Sequence, residues 1–194
     1  LGVVQSISAM VKLFTPEGGN VLIQTPVYSE FYDMTEAWNR KVLENQFVEK
    51  DGKWTVDWAD FEEKLKQADL FLLCSPHNPL GHVWTEEELR RMMELCLKHH
   101  VLVVSDEIHS DLIMPGHKHV AFANACKNAL PKYLVCTAPS KTFNLAGLVG
   151  SYHIVYNETL RDRVCAVSNK THYNEMNVLS MHALIGAYQP QGYE

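Results

Sequence analysis

Residues 70–111, "LFLLCSPHNPLGHVWTEEELRRMMELCLKHHVLVVSDEIHSD", contain the pattern that decides the fold. Two runs of mostly apolar residues, Leu70–Cys74 and Val101–Ser105, flank a segment in which apolar residues recur at helical spacing. Thr85 and Glu88 stand three residues apart at the start of that segment, as in a capping box. Strands that are apolar throughout are typical of a parallel sheet covered on both faces, so this stretch predicts a strand–helix–strand unit.

The same alternation continues outward in both directions. Short apolar runs predict further strands at Val21–Gln24, Lys41–Glu44, Tyr133–Ala138 and Ser151–Val155. Longer segments predict helices at Val3–Phe14, Tyr28–Trp38, Asp57–Gln67, Glu158–Ser168 and Val178–Tyr188. Strands that alternate with helices indicate an α/β fold, in which helices sandwich a mostly parallel sheet.

Composition and charge exclude several classes of protein. The 194 residues are 46% hydrophobic, enough to bury a sizeable core, and carry a formal net charge of −6. That acidic balance, without a Lys/Arg-rich block, argues against a nucleic-acid or membrane-surface partner. No apolar run approaches the roughly 20 residues that span a bilayer. The five cysteines are an odd number without C-x-x-C spacing, which predicts a reduced, cytoplasmic protein.

Three polar clusters each follow a predicted strand directly. They are "SPHNP" at residues 75–79, "DEIHSD" at 106–111 and "APSK" at 138–141. Ligands of parallel sheets bind beyond the carboxyl ends of the strands, where these clusters would meet although they are far apart in sequence. The sequence therefore predicts a pocket at this edge of the sheet.

The residue types in the clusters suit imine chemistry. Lys141 lies among small hydroxyl and apolar residues, where desolvation would let its amine lose its proton and attack an aldehyde. Pyridoxal phosphate is such an aldehyde, and it also needs an acid at its ring nitrogen and a phosphate site at a helix N-terminus. The glycine patterns of dinucleotide and P-loop sites are lacking. His117 and His119 lack the helical spacing of zinc ligands, so no metal site is predicted.

The blocks "SPHNPLGHVW", "SDEIH" and "SKTFN", in this order and spacing, resemble those of the fold-type-I pyridoxal-phosphate enzymes. Among these they are most similar to the cystathionine β-lyase (C–S lyase) group related to MalY and PatB, within the class I/II aminotransferase superfamily. His109, where many aminotransferases carry a tyrosine, and Trp84 favour the lyase group. The resemblance covers nearly the whole chain and implies the large, cofactor-binding domain of the pyridoxal-phosphate-dependent transferase fold.

The resemblance implies three catalytic candidates. Lys141 would form the imine with the cofactor and later remove the α-proton of the substrate. Asp106 would pair with the pyridine nitrogen of the cofactor. His109 would act near the same ring, although a structural role fits a histidine at a sheet edge equally well.

The resemblance also implies the remaining contacts of pyridoxal 5'-phosphate. Asn78 would donate to the ring hydroxyl. Tyr28 would stack on the ring, with plain core packing as the alternative. The phosphate contacts would come from Ser140, Thr137 and the backbone N–H groups of Val3 and Val4.

The activity expected from this resemblance is cleavage of a carbon–sulfur bond. A cystathionine- or cysteine-like amino acid would give pyruvate, ammonia and a thiol. An aminotransferase would use the same residues, and a regulator that keeps the fold but acts through a binding partner is a further alternative. The family also implies a homodimer, a segment before Leu1 and a C-terminal small domain. Residues 1–194 would then be an incomplete large domain, inactive by itself.

Overall fold

A computed structural model describes residues 2–127, 132–173 and 175–193. In these ranges the strands are β1 (Asn20–Thr25), β2 (Lys41–Lys50), β3 (Lys53–Val56), β4 (Leu70–Cys74), β5 (Leu102–Asp106), β6 (Tyr133–Thr137) and β7 (Tyr152–Ile154). They form one sheet in the order β3-β2-β1-β4-β5-β6-β7. The five central strands are parallel, and β3 and β7 are antiparallel edges. The predicted α/β fold with a mostly parallel sheet is confirmed.

Helices cover both faces of this sheet. They are α1 (Val3–Phe14), α2 (Glu30–Glu36), α3 (Trp58–Leu65), α4 (Glu86–Lys98), α5 (Phe122–Ala125), α6 (Glu158–Thr171) and α7 (Val178–Ala187). Side chains of β4 alternate between two buried clusters: Phe71 packs with α3 and α4, whereas Leu72 packs with α1 and α2. This two-sided burial explains why the central strands are apolar throughout. In the described ranges, no helix is long and apolar enough to cross a membrane.

The strand order reverses at β1, because the chain passes from β1 to β2 on one side and later places β4 on the other side of β1. Such a reversal leaves a crevice at the carboxyl edge, where ligands of open α/β sheets bind. Strand β4 has the predicted bounds, and β5 ends one residue later than predicted, at Asp106. The capping box of Thr85 and Glu88 at the start of α4 is also confirmed.

One part of the sheet was not predicted. Strand β2 continues beyond Glu44 to Lys50 and turns back into β3 as a hairpin. The turn is Asp51-Gly52, and both residues have positive φ (52° and 73°), as a type I′ turn requires. An Asp-Gly pair between alternating strands is a known hairpin pattern, so this element was predictable and was missed.

Candidate active site

A cavity of about 260 Å³ opens at the carboxyl edge of the sheet. Segments that follow β1, β4, β5 and β6 line it together with the first turn of α1. Its lining residues are Gly2, Val3, Val4, Gln5, Tyr28, Cys74, Asn78, Asp106, Ile108, His109, Ser140, Lys141, Ala146, Val149 and Gly150. Of the residues predicted from sequence, all but Thr137 therefore meet here.

Asp106 is the buried acid of this cavity, with only 7% of its surface exposed. Its Oδ1 accepts a hydrogen bond from the N–H of Ile108 at 3.1 Å, and its carbonyl oxygen accepts one from the N–H of Ser75 at 2.9 Å. Burial raises the pKa of the Asp106 carboxyl to about 7, although the Ile108 hydrogen bond and the charge of Lys141 act in the opposite direction. Glu107 adds to the rise through like-charge repulsion.

The end of β4, next to Asp106, is held by backbone and thiol contacts. The N–H of Asn78 lies 3.4 Å from the Cys74 thiol sulfur, and its carbonyl accepts a hydrogen bond from the N–H of Tyr28 at 3.1 Å. Trp84, which is 2% exposed, donates its indole N–H to the Cys74 carbonyl at 2.8 Å. Trp84 therefore fixes the end of β4 from the core and is not among the residues that line the cavity.

Tyr28 stands on the β1 side of the cavity. Burial raises the pKa of its hydroxyl to about 12, and a hydrogen bond with the Glu30 carboxylate adds to the rise. The same hydrogen bond holds the pKa of Glu30 below its usual value. Tyr28 is consequently a neutral aromatic ring at neutral pH, with its backbone tied to Asn78.

Lys141 occupies an exposed loop directly after β6. The loop is folded by two turn hydrogen bonds, from the Phe143 N–H to the Pro139 carbonyl and from the Leu145 N–H to the Ser140 carbonyl, both at 3.0 Å. The positive charge of Lys141 opposes the rise in the pKa of Asp106 and helps to hold the pKa of Glu30 below its usual value. This amine therefore acts electrostatically on the buried acid of the same cavity.

His109 is half-buried at the rim. Burial lowers the pKa of its imidazole, and the nearby charge of Lys141 lowers it further. The lowered pKa favours the neutral imidazole, which donates a hydrogen bond from one ring nitrogen and accepts one at the other.

The first turn of α1 supplies an α-helix N-terminus to the lining of the cavity. Its N-cap residue, Gly2, has no side chain to cap the helix, so the first N–H groups receive no side-chain hydrogen bond there. Free N–H groups and the helix dipole together attract anions. Ser140 lies on the same cavity and adds a hydroxyl.

Thr137 lies elsewhere. Its hydroxyl donates to the Glu107 carbonyl at 3.2 Å, and its side chain lines a separate cavity together with His117 and His119. Thr137 therefore holds the backbone at the end of β5 and does not face the predicted phosphate site. The described residues contain no group of three or more His, Cys, Asp or Glu side chains able to hold a metal ion.

Sequence reasoning missed seven of the lining residues, which are Gly2, Gln5, Cys74, Ile108, Ala146, Val149 and Gly150. Cys74 could have been found, because it is the last residue of a predicted strand. Val149 has a left-handed backbone (φ 43°), which no pattern around a β-branched residue would indicate.

Comparison with known proteins agrees with this geometry. The family described as aminotransferase class I and II matches residues 1–189. The chain is 43% identical to cystathionine β-lyase PatB of Bacillus subtilis, with 98% of this chain and 50% of PatB aligned. It is 34% identical to protein MalY of Escherichia coli, with 96% of this chain and 48% of MalY aligned.

A solved structure also shows the same fold. Cystalysin from Treponema denticola, which contains pyridoxal 5'-phosphate, superposes with a TM-score of 0.93 at 38% identity, over 98% of this chain and 49% of cystalysin. The chain thus spans about half the length of the proteins that it matches. The family match extends over almost all of the sequence, and the chain belongs to the class I and II aminotransferase family.

Proposed function

We propose that the cavity binds pyridoxal 5'-phosphate and that the whole protein is a C–S β-lyase acting on cystathionine- or cysteine-like amino acids. The observation that carries this proposal is the presence of Lys141 and the buried Asp106 in one cavity at the carboxyl edge of the sheet. An amine and an acid on one cavity are the pair that this cofactor requires.

The residues fit the cofactor on two further observations. Asp106 is a buried carboxylate whose pKa is raised to about 7, so a protonated ring nitrogen beside it would supply a stabilising cation. The first turn of α1 presents N–H groups without a side-chain cap, as a phosphate site does. The cofactor contacts would be Asp106, Asn78, Tyr28, Ser140 and the N–H groups of Val3 and Val4.

When bound, the cofactor supplies an aldehyde for imine formation and a ring that delocalises the negative charge of the α-carbon. Lys141 would hold the cofactor through Nζ, and the same Nζ would be the base for the α-proton of the substrate. The Asp106 carboxylate would accept a hydrogen bond from the ring nitrogen of the cofactor and stabilise its positive charge. The neutral imidazole of His109 lies within the cavity as a hydrogen-bonding side chain and not as a second cation.

The lyase reaction is favoured over transamination because PatB, which aligns over 98% of this chain, is a cystathionine β-lyase. The products would be pyruvate, ammonia and a thiol. The proposal includes a cytoplasmic homodimer with a small amino acid as substrate, in which residues 1–194 belong to the cofactor-binding domain. An aminotransferase is the second candidate, because the family includes such enzymes in its description.

An absorbance titration with pyridoxal phosphate tests the site. We expect an imine band at about 420 nm, as the chemistry of this cofactor predicts. The band should be lost completely in Lys141→Ala. Lys53→Ala, which changes an exposed lysine on β3, is the matched control and should keep the band. A band that persists in Lys141→Ala would contradict the proposed role of this amine.

The reaction is tested with the full-length protein. Release of pyruvate from cystathionine supports the lyase, whereas transfer of the amino group to a keto acid without pyruvate release supports the aminotransferase. No turnover of any amino acid, with a binding partner still retained, would instead indicate a regulator.

A further inference from the structure

Glu107 follows Asp106 directly, yet its carboxylate lies outside the cavity and is almost fully buried, with 5% of the side chain exposed. Three donors hold it. Its Oε1 accepts hydrogen bonds from the Ser105 hydroxyl at 3.1 Å and the Phe122 N–H at 2.9 Å. Its Oε2 lies 3.1 Å from Nε2 of His119. A buried carboxylate with this many partners is held in one position and is costly to disturb.

The backbone around Glu107 is held as firmly as its side chain. The Glu107 N–H donates to the Cys136 carbonyl at 2.9 Å, and the Glu107 carbonyl accepts the Thr137 hydroxyl at 3.2 Å. Glu107 is also the middle residue of the turn in which Asp106 Oδ1 accepts the N–H of Ile108. The backbone of Glu107 is therefore part of the turn that orients the Asp106 carboxylate.

We propose that Glu107 is a positioning residue for Asp106: its anchored side chain fixes the turn that aims the Asp106 carboxylate into the cavity and holds a second carboxylate beside it. This inference rests on the proposed function only in so far as the partner of Asp106 would be the ring nitrogen of the cofactor. The positioning itself involves only the side chains of Glu107 and Asp106.

Few charged groups surround Asp106 and Glu107. Asp106 faces the ammonium of Lys141, the Glu107 carboxylate, the Tyr28 hydroxyl and the thiols of Cys74 and Cys136. Burial raises the pKa of both thiols and of the Tyr28 hydroxyl, which keeps these three groups neutral at pH 7.

Four titratable groups face Glu107 from other elements: His119, Tyr133 and the thiols of Cys126 and Cys136. Burial raises the pKa of the tyrosine and of both thiols, which keeps them neutral. Glu107 thus acts on Asp106 as a nearby negative charge, and the direction of its effect is to raise the pKa of Asp106.

The test follows the titration of Asp106 in the full, cofactor-free chain by carboxyl ¹³C NMR, with its signal identified by its loss in Asp106→Asn. Glu107→Gln removes the charge but keeps an oxygen that can accept the Ser105 and Phe122 hydrogen bonds. We expect the pH of half-titration to fall by about 0.5 to 1 pH unit. Glu62→Gln is the matched control, because Glu62 also pairs with a histidine, His99 at 3.3 Å, but on the surface.

Glu107→Asp separates the effect of side-chain length from that of charge, since it keeps the carboxylate but shortens the side chain that meets the three donors. We expect it to leave the half-titration pH of Asp106 close to that of the unchanged protein and to speed hydrogen exchange of the Ile108 N–H by about tenfold or more. If Glu107→Gln does not fold, exchange of the same N–H in His119→Asn decides: faster exchange supports the anchor and unchanged exchange contradicts it.

The inference is overturned if Asp106 titrates at the same pH in Glu107→Gln as in the unchanged protein, or if Glu62→Gln shifts it equally. The absorbance titration separates this failure from that of the proposed function. An imine band lost in Lys141→Ala, with no shift of Asp106 in Glu107→Gln, would leave the cofactor site standing and remove only the role of Glu107.

Discussion

The two walls of the cavity are built differently. The strand wall, formed by Cys74, Asn78 and Asp106, continues directly from β4 and β5, which pair residue by residue up to Cys74 and Asp106. The loop wall, formed by Ser140, Lys141 and Val149, follows β6 and has no strand partner. Asp106 is 7% exposed, whereas Val149 is 43% exposed.

The backbone geometry of the loop wall is also less favourable than that of the strand wall. Val149 has a φ of 43°, and a β-branched residue in this left-handed region costs about 1 kcal/mol or more. One side-chain contact of this loop lies at the surface, where the Thr142 hydroxyl donates to Asp111 at 3.0 Å. The acid is buried whereas the amine is exposed, which suits the proposed site, where the acid would keep one partner while the amine would release and regain its own.

The largest expected effect is on the strand wall and depends on pH. Because the pKa of Asp106 is raised from 3.8 to about 7 on folding, the folded state binds its proton more tightly than the unfolded state. The stability that the folded state gains from binding this proton is therefore lost as pH rises from about 4 to about 7. In the cofactor-free protein, Asp106→Asn should raise the free energy of unfolding at pH 8 by about 2 to 4 kcal/mol and change it little at pH 4.

Urea unfolding at the two pH values measures this difference. Histidines that titrate in the same range are present in both proteins, so they cancel when the variant is compared with the unchanged chain. An equal effect of Asp106→Asn at pH 4 and pH 8 would mean that the carboxylate is not desolvated as described, and the strand wall would then be no more buried than the loop wall.

A smaller effect is expected at the anchor of the strand wall. Trp84→Phe removes the indole N–H that reaches the Cys74 carbonyl, leaving a buried acceptor without that donor. We expect a loss of about 2 kcal/mol in the free energy of unfolding, from the unpaired carbonyl and the smaller ring. Trp54→Phe, at a position 45% exposed on β3, should cost under about 0.5 kcal/mol in the same urea experiment. Equal losses in the two variants would argue against the anchor.

The strand wall was also the more predictable of the two walls. Apolar runs located β4 and β5 to within one residue, because burial on both faces requires apolar side chains at every position. The polar residues that follow then had to lie at the carboxyl edge. This placement of Asn78 and Asp106 needed no knowledge of tertiary contacts.

Other features depend on contacts that no local pattern encodes. Trp84 was noted as a family feature, but its bond to Cys74 joins residues ten positions apart across a loop. Thr137 was expected at the phosphate, yet it lies at the last position of β6 with its hydroxyl on the Glu107 carbonyl. Strand alternation sends neighbouring side chains to opposite faces, and the resemblance that placed Thr137 at the phosphate did not fix which face its side chain takes in β6.

The smallest effect should come from the loop wall. Thr142→Val removes the hydrogen bond to Asp111 at an exposed position, so we expect a loss of at most about 0.5 kcal/mol in the free energy of unfolding. The Kd for pyridoxal phosphate, read from the imine band, should change less than about twofold for the same reason. Thr55→Val, which removes an exposed hydroxyl bond to Val48 in the hairpin, is the matched control. A loss above about 1 kcal/mol in Thr142→Val alone would show that this loop is held as tightly as the strand wall, because exposed single hydrogen bonds contribute less than that.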